Sequence, residues 1–448
     1  MKTGYTRTKE LIGNISNSFC AAKWYNVSIW LGNGRTASCH HPLAHPVPKE
    51  ELDNNPTALH NTKFKKEQRK KMLAGERPAE CAYCWRVEDA AKDTSIFSDR
   101  VYQSARYTEK EINALKTLPW DANVAPKTVE ICFDNLCNLA CSYCNAEFSS
   151  TWHKDISDNG EYKNMQTNGG KTYRQDGSIA MPFGNKNEGN IYVEKFFDWF
   201  EDIRGDIDEL RVSGGEPSRS PSFWKLLDIC NNDTFNFAVN SNLIMDQNRL
   251  DKLTSAGNKF KKFEIYTSAE CMYKNQEFVR DGFKWDIWKD NLLKANESPS
   301  VDTVHIMMTI SLLSIWTVDE FLDTIVQWKK MVGRKDTLYM SVNILRFPSF
   351  QSVNMLPQEI KNQLADKIEA SLNRNRDWLK AWEQNHYERL LTYLRNVDKA
   401  YEDIDENDKK INDLVNFLSQ YEVRRKMPIK EYMPQEFNNW YDGLKARQ

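Results

Sequence analysis

Six short apolar runs alternate with amphipathic stretches from Lys127 to residue 347. The runs cover 129–133, 209–212, 235–239, 262–267, 303–310 and 338–345. Most are separated by stretches with helical spacing, at 193–203, 222–230, 247–256, 285–296 and 318–331. Short strands alternating with such helices fold as βα units, because each crossover helix covers a face of a parallel sheet. Six units are too few for a closed eight-fold barrel. The expected fold class is therefore α/β, a partial (β/α)6 barrel of parallel strands with additions at both ends.

The additions divide the chain. Residues 1–100 hold four Cys and four of the seven His among Gly and Pro, with weak periodicity apart from a helix at 63–74. A loop-rich, Cys-rich, metal-organised unit is expected there. Residues 101–126 read as a helical linker, and 127–347 as the barrel. Within the barrel, 159–190 is rich in Gly, Asn and Lys without a period, which marks an insertion such as a lid or substrate loop. Residues 348–448 read as a helical extension, with Leu364, Ile368 and Leu372 at helical spacing and a charged hinge at 398–410.

Composition removes several function classes. Lys and Arg number 61 against 63 Asp and Glu, so the basic excess of a nucleic-acid binder is missing. The basic stretch 63–71 reads as a solvated helix face. No uncharged apolar run approaches the roughly 18 residues of a membrane span. The first ten residues lack the apolar core of a signal peptide, so the expected location is cytoplasmic. Ten cysteines in such a chain point to metal or redox chemistry before disulfides.

Three of those cysteines stand together, in Cys137-Asn-Leu-Ala-Cys141-Ser-Tyr-Cys144, directly after the first strand. That places them at the end of the strand where βα barrels build active sites. Three thiolates can hold three irons of a [4Fe–4S] cluster and leave the fourth iron open. The bland alternative is a zinc site of three Cys completed by a distant His. Ser213-Gly214-Gly215-Glu216-Pro217 follows the second strand; glycines let backbone approach a ligand, although a plain strand-to-helix turn uses the same residues. Asn240-Ser241-Asn242 follows the third strand and Ser268-Ala269-Glu270 the fourth, with Arg280 beyond. A surface ion pair is the bland reading of Arg280. In the N-terminal unit, Cys20, Gly34 and Cys39 form one group and Cys81-Ala-Tyr-Cys84 another. Cys132, Cys230 and Cys271 read as small buried residues.

Between Lys127 and Phe347 these motifs resemble the radical S-adenosylmethionine (SAM) superfamily. The resemblance implies that Cys137, Cys141 and Cys144 hold a [4Fe–4S] cluster whose open iron chelates SAM. Reductive cleavage of SAM then gives a 5′-deoxyadenosyl radical that abstracts a substrate hydrogen. It implies SAM contacts from Ser213, Gly214, Gly215 and Glu216, and from Asn240, where relatives carry a Thr-Asn-Gly-like turn. Ser268 and Glu270 match the polar residues that hold the ribose, and Arg280 the residue that holds the SAM carboxylate. Glu270 replaces the usual Asp, and Cys271 replaces a Gly. The spacing Cys20…Gly34…Cys39 resembles the opening of twitch and SPASM domains, of the phage twitch-domain type. On that resemblance Cys20, Cys39, Cys81 and Cys84 hold an auxiliary [4Fe–4S] cluster, in a unit that precedes the barrel where most relatives place it after. A four-thiolate zinc knuckle, with His40 and His41 as spare donors, is the alternative. The family also implies an electron donor such as a flavodoxin or ferredoxin.

Strand phase gives the expected substrate face. Alternate residues share a side, so the phase of Ser213, Asn240 and Ser268 includes Glu209, Arg211, Asn236, Glu264 and Tyr266. On the last two strands it includes His305, Met307, Thr309, Tyr339, Ser341 and Asn343, and on the first Glu130 and Cys132. A polar lumen is costly unless it is hydrogen-bonded internally or binds something. Three functions follow. The first is radical modification or oxidation of a peptide or protein side chain. The second is the same chemistry on a small molecule, such as sugar-alcohol dehydrogenation. The third is a metal-stabilised binding module without catalysis, against which the triplet and the Gly-Gly-Glu-Pro turn argue together.

Overall fold

In the computed structural model, residues 4–91, 96–174, 189–333, 336–396 and 404–446 are described. They form two compact units. One holds the chain up to Asp134, the segment ending at Gly214, and Ser222–Phe237; the other holds the segment beginning at Asn135, Gly215–Pro221 and everything from Ala238. The strands among the described residues are β1 (Asn26–Trp30), β2 (Arg35–Ala37), β3 (His45–Pro46), β4 (Thr128–Cys132), β5 (Ala140–Cys141), β6 (Glu209–Ser213), β7 (Asp233–Asn240), β8 (Phe260–Ser268), β9 (Arg280–Asp281), β10 (Thr303–Ile310) and β11 (Leu338–Ile344).

In the first unit the strand order is β3-β2-β1-β4-β6-β7. β1 runs parallel to β4, and β4 parallel to β6 with Glu130 opposite Arg211. β2 and β3 add an antiparallel edge. In the second unit the order is β7-β8-β10-β11, with β10 parallel to both β8 and β11. β5 and β9 form a separate antiparallel pair that sets Cys141 opposite Arg280. The α/β class is therefore observed as a large, mostly parallel sheet with helices. The six expected strands appear within two residues of their expected ends.

Burial follows the expected phase. Along β6, β8 and β10 buried and half-buried positions alternate, with Leu210, Val212, Phe263, Ile265, Ile306 and Met308 buried and Glu209, Arg211, Glu264, Tyr266, His305 and Thr309 half-buried. The helices cover the apolar side. Ile191–Ile203 buries Val193, Phe196, Phe197 and Phe200 at helical spacing, and Phe133 stacks on Phe197 with ring centres 5.9 Å apart. Each such ring, fully buried, contributes about 1.5–3 kcal/mol. In the second unit Trp285, Trp288, Phe321 and Trp328 interlock between the helices Trp285–Glu297 and Val318–Val332. Asn190 and Asp246 cap helices by accepting backbone N–H bonds.

The N-terminal region carries more regular structure than expected. It supplies β1–β3 and the helices Gly4–Gly13, Lys63–Leu73 and Ala82–Ala90. Of the insertion at 159–190, residues 175–188 lie outside the described residues; Tyr162 and Tyr173, before them, are fully buried. Of the hinge at 398–410, residues 398–403 lie outside the described residues, and the rest falls inside the helix Ile404–Arg425. No helix among the described residues is long and apolar enough to cross a membrane.

Candidate functional site

The second unit brings together the cysteine triplet, Gly215–Pro217, Asn240–Asn242 and the Ser268–Arg280 segment. The backbone of Cys137 is tied by Ser150, whose hydroxyl accepts its N–H at 3.0 Å, and by Thr151, whose hydroxyl donates to its carbonyl at 2.6 Å. Trp152, fully buried, donates Nε1–H to the Cys141 carbonyl at 2.9 Å. Tyr173 and Gln351 both donate to the Ser142 carbonyl, and Tyr421 donates to that of Ala140. The cysteine loop is thus held mainly by its backbone, and its thiols add only long contacts, Leu139 N–H on Cys137 Sγ at 3.4 Å and Cys144 Sγ on the Asn145 carbonyl at 3.7 Å among them. Burial pushes the Cys137 thiol up to about 12 and raises those of Cys141 and Cys144; the neighbouring thiols add to it in Cys137 and Cys144. Three desolvated thiols lie close enough to feel one another's charge.

Glu216 connects this loop to the next. Its N–H donates to the Leu136 carbonyl at 2.7 Å. Its buried carboxylate accepts from the Ser241 hydroxyl at 2.9 Å and from the backbone N–H groups of Ser218 and Asn242, at 3.1 and 2.6 Å. Asn242 in turn donates to Asn138 at 2.8 Å. The glycines are required by close approach. A Cβ on Gly215 would stand 2.4 Å from the Leu136 carbonyl oxygen. Gly214, in the first unit, has φ +132° and Cys132 Sγ 2.8 Å from where a Cβ would sit. Ser213, also in that unit, donates to Glu130 at 2.8 Å. Asn240 and Ser268 end β7 and β8 half-buried.

Arg280 is buried, which opposes its charge, but the Glu270 carboxylate keeps it firmly protonated. Its Nε lies 3.1 and 3.2 Å from the two Glu270 oxygens, and Nη1 points at Cys141 Sγ, 3.5 Å away. Its guanidinium lies 5.3 Å from the ring centre of Tyr143, whose hydroxyl donates to Glu270 at 2.9 Å. Glu270 therefore orients Arg280. Sequence reasoning missed this pairing; the clue was the longer Glu at position 270, with a cation ten residues beyond it.

The N-terminal cysteines share a separate cavity within the first unit. Cys20, Cys39, Cys81 and Cys84 line it together with Lys23, His41, Trp85 and Arg100. Burial raises all four thiols, Cys81 to about 11 and Cys84 to about 12. Backbone N–H groups of Ala22, His41 and Arg100 face Cys20, Cys39 and Cys84, and the Lys23 ammonium faces Cys81. Lys23 also pairs with Glu80. Among the described residues no three His, Cys, Asp or Glu side chains are grouped to hold a single metal ion. His40 is mostly exposed and His41 pairs with Asp99. None of the ten cysteines is in a disulfide, and Cys132, Cys230 and Cys271 are buried, as expected.

No protein-family model and no curated protein matches this sequence. Among solved structures, Streptococcus suis SuiB bound to S-adenosylmethionine is 14% identical over 78% of this chain and 69% of its own, with a TM-score of 0.37. SuiB bound to the precursor peptide SuiA gives 13% identity over 79% and 70%, with a TM-score of 0.36. anSMEcpe with bound AdoMet gives 12% over 54% of this chain and 59% of its own, with a TM-score of 0.31.

Proposed function

We propose that this chain is a radical SAM enzyme of the phage twitch-domain type, modifying or oxidising a peptide or protein side chain. One observation carries the reading: three desolvated thiols stand on a loop whose backbone is fixed by Ser150, Thr151, Trp152, Tyr173 and Tyr421. The donor set fits a [4Fe–4S] cluster. A cubane takes each thiolate on a different iron, so its ligands stand apart instead of converging on one ion. Held by Cys137, Cys141 and Cys144, such a cluster would supply the one-electron chemistry that cleaves SAM.

The chain's own residues then bind and orient. Arg280, held by Glu270 and Tyr143, offers its remaining donors to a carboxylate beside Cys141. Glu216 holds Gly215 against Leu136 at the head of the cysteine loop, with Asn240 and Ser268 at neighbouring strand ends. In this reading 127–347 is a partial barrel. Residues 1–100 are the auxiliary unit, in which Cys20, Cys39, Cys81 and Cys84 hold a second [4Fe–4S] cluster. Three backbone amides and Lys23 facing those thiols suit a buried anionic cluster. The electron donor is a flavodoxin or ferredoxin, and the setting is cytoplasmic.

The test is anaerobic reconstitution with iron and sulfide, followed by reduction in the presence of SAM. The wild-type protein should release 5′-deoxyadenosine. The Cys137→Ala/Cys141→Ala/Cys144→Ala variant should release none, and persistent cleavage in it removes the assignment.

A further inference from the structure

Beside the N-terminal cysteine cavity lies a second one of about 680 Å³ measured out to its mouth, and Ser38, Cys39 and Gln103 line both. That volume suits a small ligand or one side chain of a larger one. The charges on its wall are compensated. Arg106 and Arg211 both pair with Glu209. Glu130 stands opposite Arg211 in the strand register, accepts hydroxyl bonds from Ser213 and Ser28, and has His40 Nδ1 3.6 Å away. An ionic ligand finds no counter-charge left over there, and burying its charge unpaired is costly.

The unspent groups lie at the seam with the cysteine cavity. Ser38 is 4% exposed, and among the described residues its hydroxyl has no hydrogen-bond partner. Gln103 is fixed by a short chain of bonds: Tyr107 donates to Asn26 Oδ1, and Asn26 Nδ2 donates to Gln103 Oε1 at 3.1 Å. That last bond occupies the Gln103 carbonyl and leaves its Nε2–H donors without a partner among the described residues. The seam therefore offers a fixed amide donor and a hydroxyl that donates or accepts, and neither carries a charge. A hydroxyl or a carboxamide answers both, its oxygen accepting from Gln103 Nε2 and its own proton going to Ser38 Oγ. We propose that this cavity binds an uncharged hydrogen-bonding group of the substrate, a hydroxyl or a carboxamide, on Ser38 and Gln103 beside Cys39. Resting on the peptide-modifying reading above, it assigns the recognised side chain as Ser, Thr, Asn or Gln.

The experiment is binding calorimetry on the full chain, reconstituted with iron and sulfide without oxygen. The probes are capped tripeptides with alanine on either side of serine, asparagine, norvaline, lysine or aspartate, and xylitol as a free polyol. The serine and asparagine peptides should bind about fivefold or more tighter than the other peptides, the scale of a neutral hydrogen bond gained where a buried group was left unpaired. Ser38→Ala should erase that preference and leave the urea midpoint unchanged, because the hydroxyl it removes bonds nothing in the protein. Gln103→Glu keeps the acceptor for Asn26 but replaces the donor with a carboxylate, so it should favour the lysine peptide instead. Should Gln103→Glu fail to fold, the wild-type ranking and Ser38→Ala still decide. Equal binding of all the peptides overturns the proposal, as does tighter binding of a charged peptide to the wild type, or a wild-type ranking that survives either substitution. Tighter binding of xylitol than of any peptide, lost in Ser38→Ala, keeps the hydroxyl site and makes its source a free polyol. None of these readings needs SAM turnover. Absence of SAM cleavage with the ranking intact removes the proposed function alone, and the reverse result removes the cavity assignment alone.

Discussion

Arg280 and Glu270 form a buried pair, 9% and 0% exposed at their side chains. Breaking such a pair by removing one partner leaves an uncompensated buried charge and costs about 3–5 kcal/mol. Glu270→Ala should therefore lower the urea midpoint strongly, whereas Arg280→Lys keeps the charge and spares most of the stability. The same Arg280→Lys change should weaken SAM binding about tenfold or more, because an ammonium cannot reproduce the planar fork. Unchanged SAM affinity in that variant makes Arg280 a structural ion pair only. Glu264 carries a separate expectation. Burial opposes its charge, but His305 and Lys262 outweigh this and hold the carboxyl at about 2, against an ordinary 4.5. A lowered folded-state value adds stability above the unfolded value, and that stability is lost as pH falls from about 4.5 towards about 2. Chemical denaturation across that window should show a steeper loss for wild type than for Glu264→Gln.

At the scale of elements, the exposed edge of β11 is closed by the helix Ala381–Arg395. Glu383 on that helix accepts the Met340 N–H at 2.9 Å and the Lys329 ammonium at 2.9 and 3.2 Å, with both side chains fully buried. His386 and Arg389 bond the Val342 backbone. Side chains thus take the place of the next strand, which otherwise leaves an open pairing edge. Glu383→Ala strands Lys329 in the core and frees the edge; it should cost about 3–5 kcal/mol in urea unfolding and promote self-association visible in light scattering. Such a contact joins residues more than forty positions apart, and no local pattern announces it. What was legible was local and periodic. Strands β6, β8 and β10 showed in their alternation, and the three glycine- and cysteine-bearing turns in their position after strands. β1 was not legible. Its five residues, Asn-Val-Ser-Ile-Trp, alternate too briefly, and its stability comes from parallel pairing with β4, about a hundred residues away. The Glu270–Arg280 bond spans only ten residues and was hidden for a different reason: each residue matched a ligand role, and only packing turned one towards the other.

For the molecule as a whole, seven of the ten cysteines line two separate sites, and each site can be emptied without touching the other. The triplet sits on a loop of the second unit, whereas Cys20, Cys39, Cys81 and Cys84 line a cavity formed wholly by the first. The Cys137→Ala/Cys141→Ala/Cys144→Ala variant therefore isolates the N-terminal thiols. If these hold a [4Fe–4S] cluster, that variant should keep about four irons per chain after anaerobic reconstitution, with the charge-transfer absorption of such a cluster and no SAM cleavage. If they hold zinc, it should carry one zinc and no iron. The two outcomes separate roles as well as metals, because zinc has no redox chemistry and serves only to brace the fold. Lys23 sharpens the distinction. An ammonium facing Cys81 favours an electron-rich cluster, so Lys23→Met should lower its reduction potential in a redox titration. A zinc site would show no such couple in either protein, and the first unit would then be a structural brace while the triplet keeps its proposed chemistry.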